Sequence, residues 1–362
     1  MDNRVRRIAW FVSPHGKGHA GRASAIMAAL TKLDVSCHFD IYTLVPESFF
    51  TDSRIGNFTY HSLASDLGLV QLSPYEEDLD ATLQALDTMI PFEDEQVQSL
   101  AARLRESDVE YVVCDIAPMG IAAAKVAGIR SVLIENFRWD WIYEGYLESH
   151  PEFSRAIDYF NKIFLEVDVH IQSKPMCDAV EACLTSNVVS RLPRMSRKQT
   201  RHALGIGDDR PLLLVSGGVP VDSPVLKYLA ELSDVRVLIA ATGNRVTAEG
   251  NLTYVPYDSA FFHPDLIEAS DCVVGKLGYS TMAEVYWAGI PFVYIGRNQF
   301  RESPYLAAFV EDAMPCLALT PQEFPKGEWV GQVCDLVSAP RISRKEPNGA
   351  EEIASYLCHF DK

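Results

Sequence analysis

Short runs of consecutive apolar residues, each followed by a small-residue turn and then a stretch of helical period, recur along the chain; this is the pattern of parallel strands buried on both faces. Arg7–Ser13 (RIAWFVS) is the first such run, and Ala20–Leu33 the first helix. Ser36–Thr43, Thr59–His61, Glu110–Cys114, Ser131–Glu135 and Val169–Gln172 follow as strands. Residues 73–107 read as largely helical with an acidic outer face, and 116–127 and 152–166 as further helices. A second series opens after the basic stretch Arg191–Arg201, with strands at Pro211–Ser216, Arg236–Ala240, Leu252–Val255, Cys272–Val274 and Phe292–Ile295. Strand alternating with helix in this way predicts an α/β chain of two Rossmann-like halves, with a boundary near 185–205. The expected units are 1–190 and 191–345, and the segment 346–362 is expected to form a helix that packs back on the first unit.

Composition narrows the setting. The 362 residues carry 32 basic and 49 acidic side chains, a net charge of −17, and 28 of the acidic ones fall before residue 191. An acidic surface repels phosphate backbones and anionic lipid, so neither nucleic acid nor a membrane surface is an expected partner. Eight cysteines at 37, 114, 177, 183, 272, 316, 334 and 358 form no CxxC pair. Cys114 and Cys272 lie in or beside apolar strands, as reduced cysteines do, which predicts a reducing compartment and no zinc site. The apolar start is too short for a secretory signal and no run approaches ~18 residues, so a cytoplasmic protein without a transmembrane segment is expected.

Two loops concentrate the chemistry. The first, His15-Gly16-Lys17-Gly18-His19-Ala20-Gly21, follows a strand and opens a helix. It satisfies GxGxxG, and Asp40 lies where a ribose-binding acid of a dinucleotide fold would fall, so an NAD(P) oxidoreductase is one reading. Against it, Asp40 continues into Ile41-Tyr42-Thr43 and belongs inside a strand, and a pyrophosphate loop has no need of histidines at both ends. Glycines for close approach, a helix amino terminus and imidazoles suit general-base activation of a hydroxyl beside a phosphate-bearing substrate. His19 or His15 is the candidate base, with Asp115 at the end of its strand as a base-orienting or substrate residue. Gly16 and Gly18 give the acceptor room, and the loop Asn136, Phe137, Arg138, Trp139, Asp140, Trp141 offers aromatic faces and a carboxylate to sugars. That loop equally suits an anchor packed on its own domain.

The second loop is Gly275-Lys276-Leu277-Gly278-Tyr279-Ser280-Thr281-Met282-Ala283-Glu284. A strand runs into two glycines, then Ser280 or Thr281 as helix cap, and Lys276 beside free helix N–H groups makes a place for a diphosphate. Glu284, one turn in, can accept both ribose hydroxyls, although Thr281 and Glu284 also fit a plain capping box. A polar loop from Arg297 to Tyr305 follows the next strand, at the carboxyl end where α/β folds bind ligands. Asp78-Leu79-Asp80, the only DxD, sits in an acidic helical run and reads as solvated surface.

The string GKLGYSTMAEVYWAGIPFVYIGRNQFRESPYL resembles the donor-binding region of B-type (GT-B) glycosyltransferases, and above all the glycosyltransferase-like amino-terminal half of plant arabinokinases. SPHGKGHAGR, CDIAPMGIAAAKVAGIRSV and NFRWDWIYEGY resemble the same family, in the same order. A more distant likeness is to the N-acetylglucosaminyltransferase of peptidoglycan lipid synthesis. The resemblance implies a GT-B architecture of two Rossmann-like domains facing across a cleft, acceptor on the first and nucleotide sugar on the second. It implies that Glu284 holds the ribose, that Gly275, Lys276, Gly278, Tyr279, Ser280 and Thr281 contact the diphosphate, and that Arg301, Glu302 and Ser303 face the donor sugar. It also places Ser216, Gly217 and Gly218 against the phosphates and the base near Tyr254–Tyr257, with Arg297 among the candidate cations for the leaving group. The peptidoglycan enzyme carries a glutamine pair near Glu302-Ser303, so its donor sugar does not transfer here. The arabinokinases continue into a kinase domain and this chain ends without one, so no kinase activity is expected. Metal-independent, inverting transfer from a nucleoside diphosphate sugar, UDP favoured, to a small-molecule or glycan acceptor is the expected activity. The nucleotide sugar serves as co-substrate, with no other cofactor and no metal. A sugar-nucleotide epimerase and a non-catalytic sugar-nucleotide-binding protein remain alternatives, and the oligomeric state is open.

Overall fold

A computed structural model describes residues 5–33, 36–220, 222–257, 259–297 and 299–359. The chain divides into two compact units. The first comprises Met1–Arg191 with Phe300–Glu302 and Glu346–Lys362, and the second comprises Leu192–Gln299 with Ser303–Lys345.

The first unit runs β1 (Arg6–Val12), α1 (Gly18–Lys32), β2 (Cys37–Thr43), α2 (Glu47–Ser53) and β3 (Asn57–Ser62). A small hairpin, β4 (Gln71–Ser73) with β5 (Glu76–Glu77), leads to α3 (Leu79–Met89) and α4 (Asp94–Glu106). Then come β6 (Tyr111–Asp115), α5 (Pro118–Ala127), β7 (Ser131–Glu135), α6 (Trp139–Glu144), α7 (Ser154–Phe164), β8 (Val169–Ser173) and β9 (Leu184–Ser186). Its sheet has the order β3-β2-β1-β6-β7-β8-β9, every pairing parallel. The central strands are apolar throughout because helices cover both faces: in β1, Ile8 to Val12 are wholly buried. Small residues Ala20, Ala23 and Ser24 let α1 lie close to this layer. Its outer side takes α14, introduced below.

The second unit runs α8 (Arg197–Ala203), β10 (Leu212–Val215), α9 (Val225–Ala230), β11 (Arg236–Ala240), β12 (Thr247–Glu249), β13 (Leu252–Val255) and α10 (His263–Ala269). It continues with β14 (Cys272–Lys276), α11 (Tyr279–Ala288), β15 (Phe292–Ile295), α12 (Ser303–Ala313), β16 (Cys316–Leu319) and α13 (Val333–Leu336). The final helix, α14 (Gly349–Cys358), belongs to the first unit. The second sheet is β12-β13-β11-β10-β14-β15-β16, parallel except for the edge strand β12.

In each sheet the first strand lies in the middle and the order turns back beside it: β1 between β2 and β6, β10 between β11 and β14. At such a point the loops leaving two adjacent strands part to opposite faces and open a crevice, the place where α/β sheets take ligands. The two loops richest in chemistry leave β1 and β14, so each adjoins one of these points.

Several details differ from the sequence expectation. The stretch 73–107 begins with a hairpin, and Asp78 is an N-cap, its carboxylate accepting from the Ala81 N–H at 2.9 Å, so it serves helix α3. The short edge strands β9 and β12 carry no continuous apolar pattern, with β12 exposed along its length, and β16 is apolar (CLAL) but only four residues long and only partly buried; none of the three is among the strands expected from the sequence. Helix α11 is capped by Gly278 without a side-chain bond, so Ser280 and Thr281 lie inside its first turn and the capping-box reading of Thr281 and Glu284 falls.

Candidate active site

The glycine-rich loop delivers His19 as the second residue of α1, a helix whose amino terminus carries no side-chain cap. Gly16 takes φ +69°, a left-handed turn open to glycine, and neither Gly16 nor Gly18 has any atom within 4 Å of the place a Cβ would occupy. β6 ends at Asp115, in register with Val12 of β1, which brings its carboxylate beneath α1. His19 Nδ1 lies 2.8 Å from Asp115 Oδ1. Arg22, one helical turn after His19, donates from Nε to Asp115 Oδ2 at 2.8 Å and from Nη2 to Oδ1 at 2.6 Å. Its Nη1 donates to Asn136 Oδ1 at 2.6 Å and to Ser173 Oγ at 3.3 Å. Asn136 Nδ2 in turn donates to Glu302 Oε1 at 2.8 Å.

This chain of charges is dry. Asp115 and Asn136 are fully buried, Arg22 is 2% exposed and Glu302 4%. Burial pushes the Asp115 carboxyl up, but the Arg22 guanidinium and the His19 hydrogen bond outweigh it and hold the group below the ordinary carboxylate range. An ionised Asp115 that accepts the Nδ1 proton fixes one tautomer of His19 and leaves Nε2 as the basic nitrogen. The pair therefore has the parts of a general base with its orienting carboxylate.

His15 stands apart from this pair. Its Nδ1 accepts from the Leu69 N–H at 3.3 Å, and its ring stacks on Phe300 at 6.0 Å and meets the edge of Trp139 at 5.1 Å. Trp139 is fully buried, stacked on Tyr143, with its indole N–H donating to Asp66 Oδ2 at 3.0 Å. Asp140 is buried and paired with Arg138 at 2.9 Å. Trp139 thus presents no open face and Asp140 no open carboxylate: this loop anchors α6 to the core, the bland of the two readings open from sequence. Arg301 packs over the Trp141 ring at 4.1 Å and donates to Glu144 Oε2 at 2.8 Å and to the Trp141 carbonyl. Arg301 and Glu302, expected to face a donor sugar, accordingly join Asn136 in the first unit.

The second unit gathers its own cluster. Ser216 follows the last residue of β10, its N–H bonded to the Val274 carbonyl at 2.8 Å, and Gly217 and Gly218 turn away with φ of +102° and +79°. Ser216 Oγ lies 2.7 Å from His263 Nε2, and His263 Nδ1 lies 2.7 Å from Glu284 Oε2. A Cβ added at Gly275 would lie 3.5 Å from the Ser216 Cβ, whereas one at Gly217 or Gly278 would meet open space. Lys276 ends β14, and Tyr279, Ser280 and Thr281 form the uncapped first turn of α11. Arg297 and Ser303 are buried and Tyr257 is exposed. The order serine, histidine, carboxylate is that of a hydrolytic relay. A nucleophile elbow, however, places its serine in strained backbone, and Ser216 is not among the positive-φ residues.

Three participants escape the sequence reading: Arg22, Asp66 and His263. Arg22 leaves a trace, the one Lys, Arg, Asp or Glu in the small and apolar stretch Ala20–Leu30 of α1, three places after His19. Asp66 sits in a loop and His263 at the start of α10, and only the fold supplies their partners. The dinucleotide reading fails on Asp40, which lies mid-strand, 1% exposed, between Arg7 Nε at 2.5 Å and His61 Nε2 at 3.2 Å. It has no reach toward a ribose.

Two parallel doubly wound sheets in one chain, each with its polar cluster at the point where strand order reverses, define the GT-B fold. The particular likenesses are these. The chain is 28% identical over 359 residues to an L-arabinokinase of Arabidopsis thaliana, matching 97% of this chain and 34% of that protein. It is 29% identical over 152 residues to the N-acetylglucosamine transferase of Corynebacterium efficiens that acts on N-acetylmuramyl-(pentapeptide) pyrophosphoryl-undecaprenol, covering 39% of this chain and 41% of that one. A solved UDP-glucosyltransferase from Polygonum tinctorium capable of glucosylating indoxyl superposes with a TM-score of 0.62 at 13% identity, covering 99% of this chain and 94% of that one. The matches thus span about a third and two fifths of the curated relatives' lengths. No family model matches the chain. The resemblance drawn from the donor-loop string is borne out. Among the described residues no helix is long and apolar enough to cross a membrane.

Proposed function

We propose that the chain is a glycosyltransferase that moves a sugar from a nucleoside diphosphate sugar, UDP-sugar favoured, to an acceptor hydroxyl on a small molecule or glycan. The observation that carries this reading is the His19–Asp115 pair beside the reversal point of the first sheet. His19 Nε2 takes the acceptor proton, the freed oxygen bonds to the anomeric carbon, and the bond from that carbon to the diphosphate breaks. Asp115 stabilises the imidazolium that forms. A single displacement inverts the anomeric centre. The leaving diphosphate meets the uncapped amino terminus of α11 and Lys276, with Arg297 a further candidate, so the scheme has no step that calls for a metal. Glu284 takes the ribose hydroxyls, and Ser216, Gly217 and Gly218 the phosphates.

A panel of UDP, GDP, dTDP, their sugar conjugates and NAD(P)H, read by thermal shift and calorimetry, tests the donor site. One nucleoside diphosphate family is expected to bind. Glu284→Ala weakens it by about tenfold or more, the value of one or two hydrogen bonds to a charged group. Binding of NAD(P)H with no response to any sugar nucleotide would refute the reading. A protein that binds the donor but never turns it over, with or without acceptor, is the non-catalytic alternative, and interconversion of two free nucleotide sugars is the epimerase.

A further inference from the structure

The relay Ser216–His263–Glu284 joins the two ends of the proposed donor site, phosphate and ribose, through one imidazole. A carboxylate only accepts hydrogen bonds, so at 2.7 Å from Glu284 Oε2 the His263 Nδ1 carries a proton. In a neutral ring Nε2 then has only a lone pair, and the hydroxyl 2.7 Å away must donate to it. The one proton of Ser216 is thus engaged by the histidine.

Phosphate oxygens are also acceptors. A diphosphate arriving at Ser216 can be bound by that hydroxyl only if it turns its proton outward, and its lone pair then faces Nε2. Two lone pairs at that distance repel. Moving the Nδ1 proton to Nε2 would only transfer the clash to the Glu284 carboxylate. The arrangement that satisfies every group is an imidazolium, Nδ1–H to Glu284 and Nε2–H to Ser216, with a carboxylate on one side and an anion on the other. We propose that His263 takes up a proton from solvent when a nucleoside diphosphate binds, and so acts as the positioning residue that ties ribose binding to phosphate binding. This rests on the donor-site reading above.

The surroundings allow it. His263 is the first residue of α10, its side chain about a quarter exposed, within reach of solvent. The open face of Gly217 leaves room for an anion next to Ser216. Of the charged groups on neighbouring elements, Glu284 faces the ring from α11, and Lys276 ends the adjoining strand β14. Asp265, on the same helix, is engaged by the N–H groups of Arg194 and Met195, and the Arg194 guanidinium covers Phe262. Arg197 and Arg201 of α8 are bound to Asp271 at the far end of α10.

The test is calorimetry of UDP binding to the full chain at pH 7.5 in PIPES, HEPES and Tris, buffers of different ionisation enthalpy. The observed enthalpy is expected to rise with buffer ionisation enthalpy, with a slope of up to one proton taken up per UDP. The Kd is expected to weaken as pH rises from 7 to 9, by at most tenfold per unit. His263→Gln keeps a donor for Ser216 but does not titrate, so UDP still binds while slope and pH dependence vanish, with an unchanged melting temperature vouching for its fold. Wild-type binding with a flat slope, or a slope that survives His263→Gln, would overturn the role of His263 and leave the donor site standing. Absence of heat with UDP, GDP and dTDP alike would overturn the donor site itself, and this inference with it.

Discussion

Replacing Arg22 by methionine separates the structural from the chemical role of the buried charges. Methionine keeps most of the aliphatic length and fills the space with a flexible side chain. What is lost is the guanidinium, which makes two hydrogen bonds to Asp115 at 2.8 and 2.6 Å and one to Asn136 at 2.6 Å. Asp115 has no exposed surface, so its charge keeps His19 but gains no water. Removing one partner of a buried ion pair costs about 3–5 kcal/mol, since the other charge stays behind. For a unit of this size each kcal/mol lowers Tm by roughly 2–4 °C, so Arg22→Met is expected to melt roughly 6–20 °C below the parent. Differential scanning fluorimetry reads the shift, and urea titration its free energy. Adding Asp115→Leu removes the stranded charge, and the double variant is expected to recover most of the loss, because replacing a whole buried pair with apolar groups is often close to neutral. A single variant within about 2 °C of the parent, or single costs that simply add in the double, would refute the claim that Arg22 exists to hold Asp115 ionised.

Three further outcomes follow. His19→Gln leaves the Arg22–Asp115 pair intact, so we expect transfer to fall by about 10²–10⁴ in kcat with Tm nearly unmoved; equal loss of both would mark His19 as structural. Asp66 is wholly buried, and burial pushes its carboxyl up to about 7 against the opposing hydrogen bonds of Trp139 and Ser13, with Asp115 adding to the rise. A carboxyl raised in the folded state binds its proton there while the unfolded chain has lost it, so its contribution is complete below about pH 4 and is lost as pH climbs to about 7. Asp66→Asn should therefore flatten the stability profile between about pH 4 and 7, and an unchanged slope in urea melts would place the titration elsewhere. Gly289 closes α11 at φ +66°, and a Cβ there would sit 2.0 Å from the Ile342 carbonyl oxygen. Gly289→Ala is expected to cost at least ~2 kcal/mol from left-handed backbone and overpacking together, and a melting curve matching the parent would contradict the close approach.

How much of this was legible follows from where each signal lives. Buried central strands announce themselves by unbroken apolar runs such as IAWFV and LLLV, because both their faces are covered. Edge strands such as β9 and β12 lack that coverage and so lack the signature. The histidine loop and the Glu284 helix were visible because glycine, histidine and carboxylate at fixed offsets constrain local chemistry. Long-range pairing was not: nothing in the order of residues says that Asn136 bonds Glu302, or that Asp66 lies under Trp139. The loop around Trp139 shows the limit most plainly. Its composition suits a sugar platform and a core anchor equally, and only burial decides between them.

The chain enters the second unit twice, at Leu192 and Ser303, and returns to the first twice, at Phe300–Glu302 and again from Glu346 onward. During synthesis the amino-terminal 191 residues leave the ribosome with α1 still lacking its partner α14 and with Asn136 still lacking Glu302. The first unit to be made is therefore the last to be finished. Its completion waits on the second unit, through contacts of long sequence separation such as α1 with α14, which are slow to form. A fragment ending near residue 191 would expose the side of α1 that α14 covers and invite association, whereas one that carries the carboxyl-terminal helix supplied in trans could be rescued from it. The order of assembly is thus written into the threading of the chain, with His19 held in a unit whose last segment follows the whole of the second.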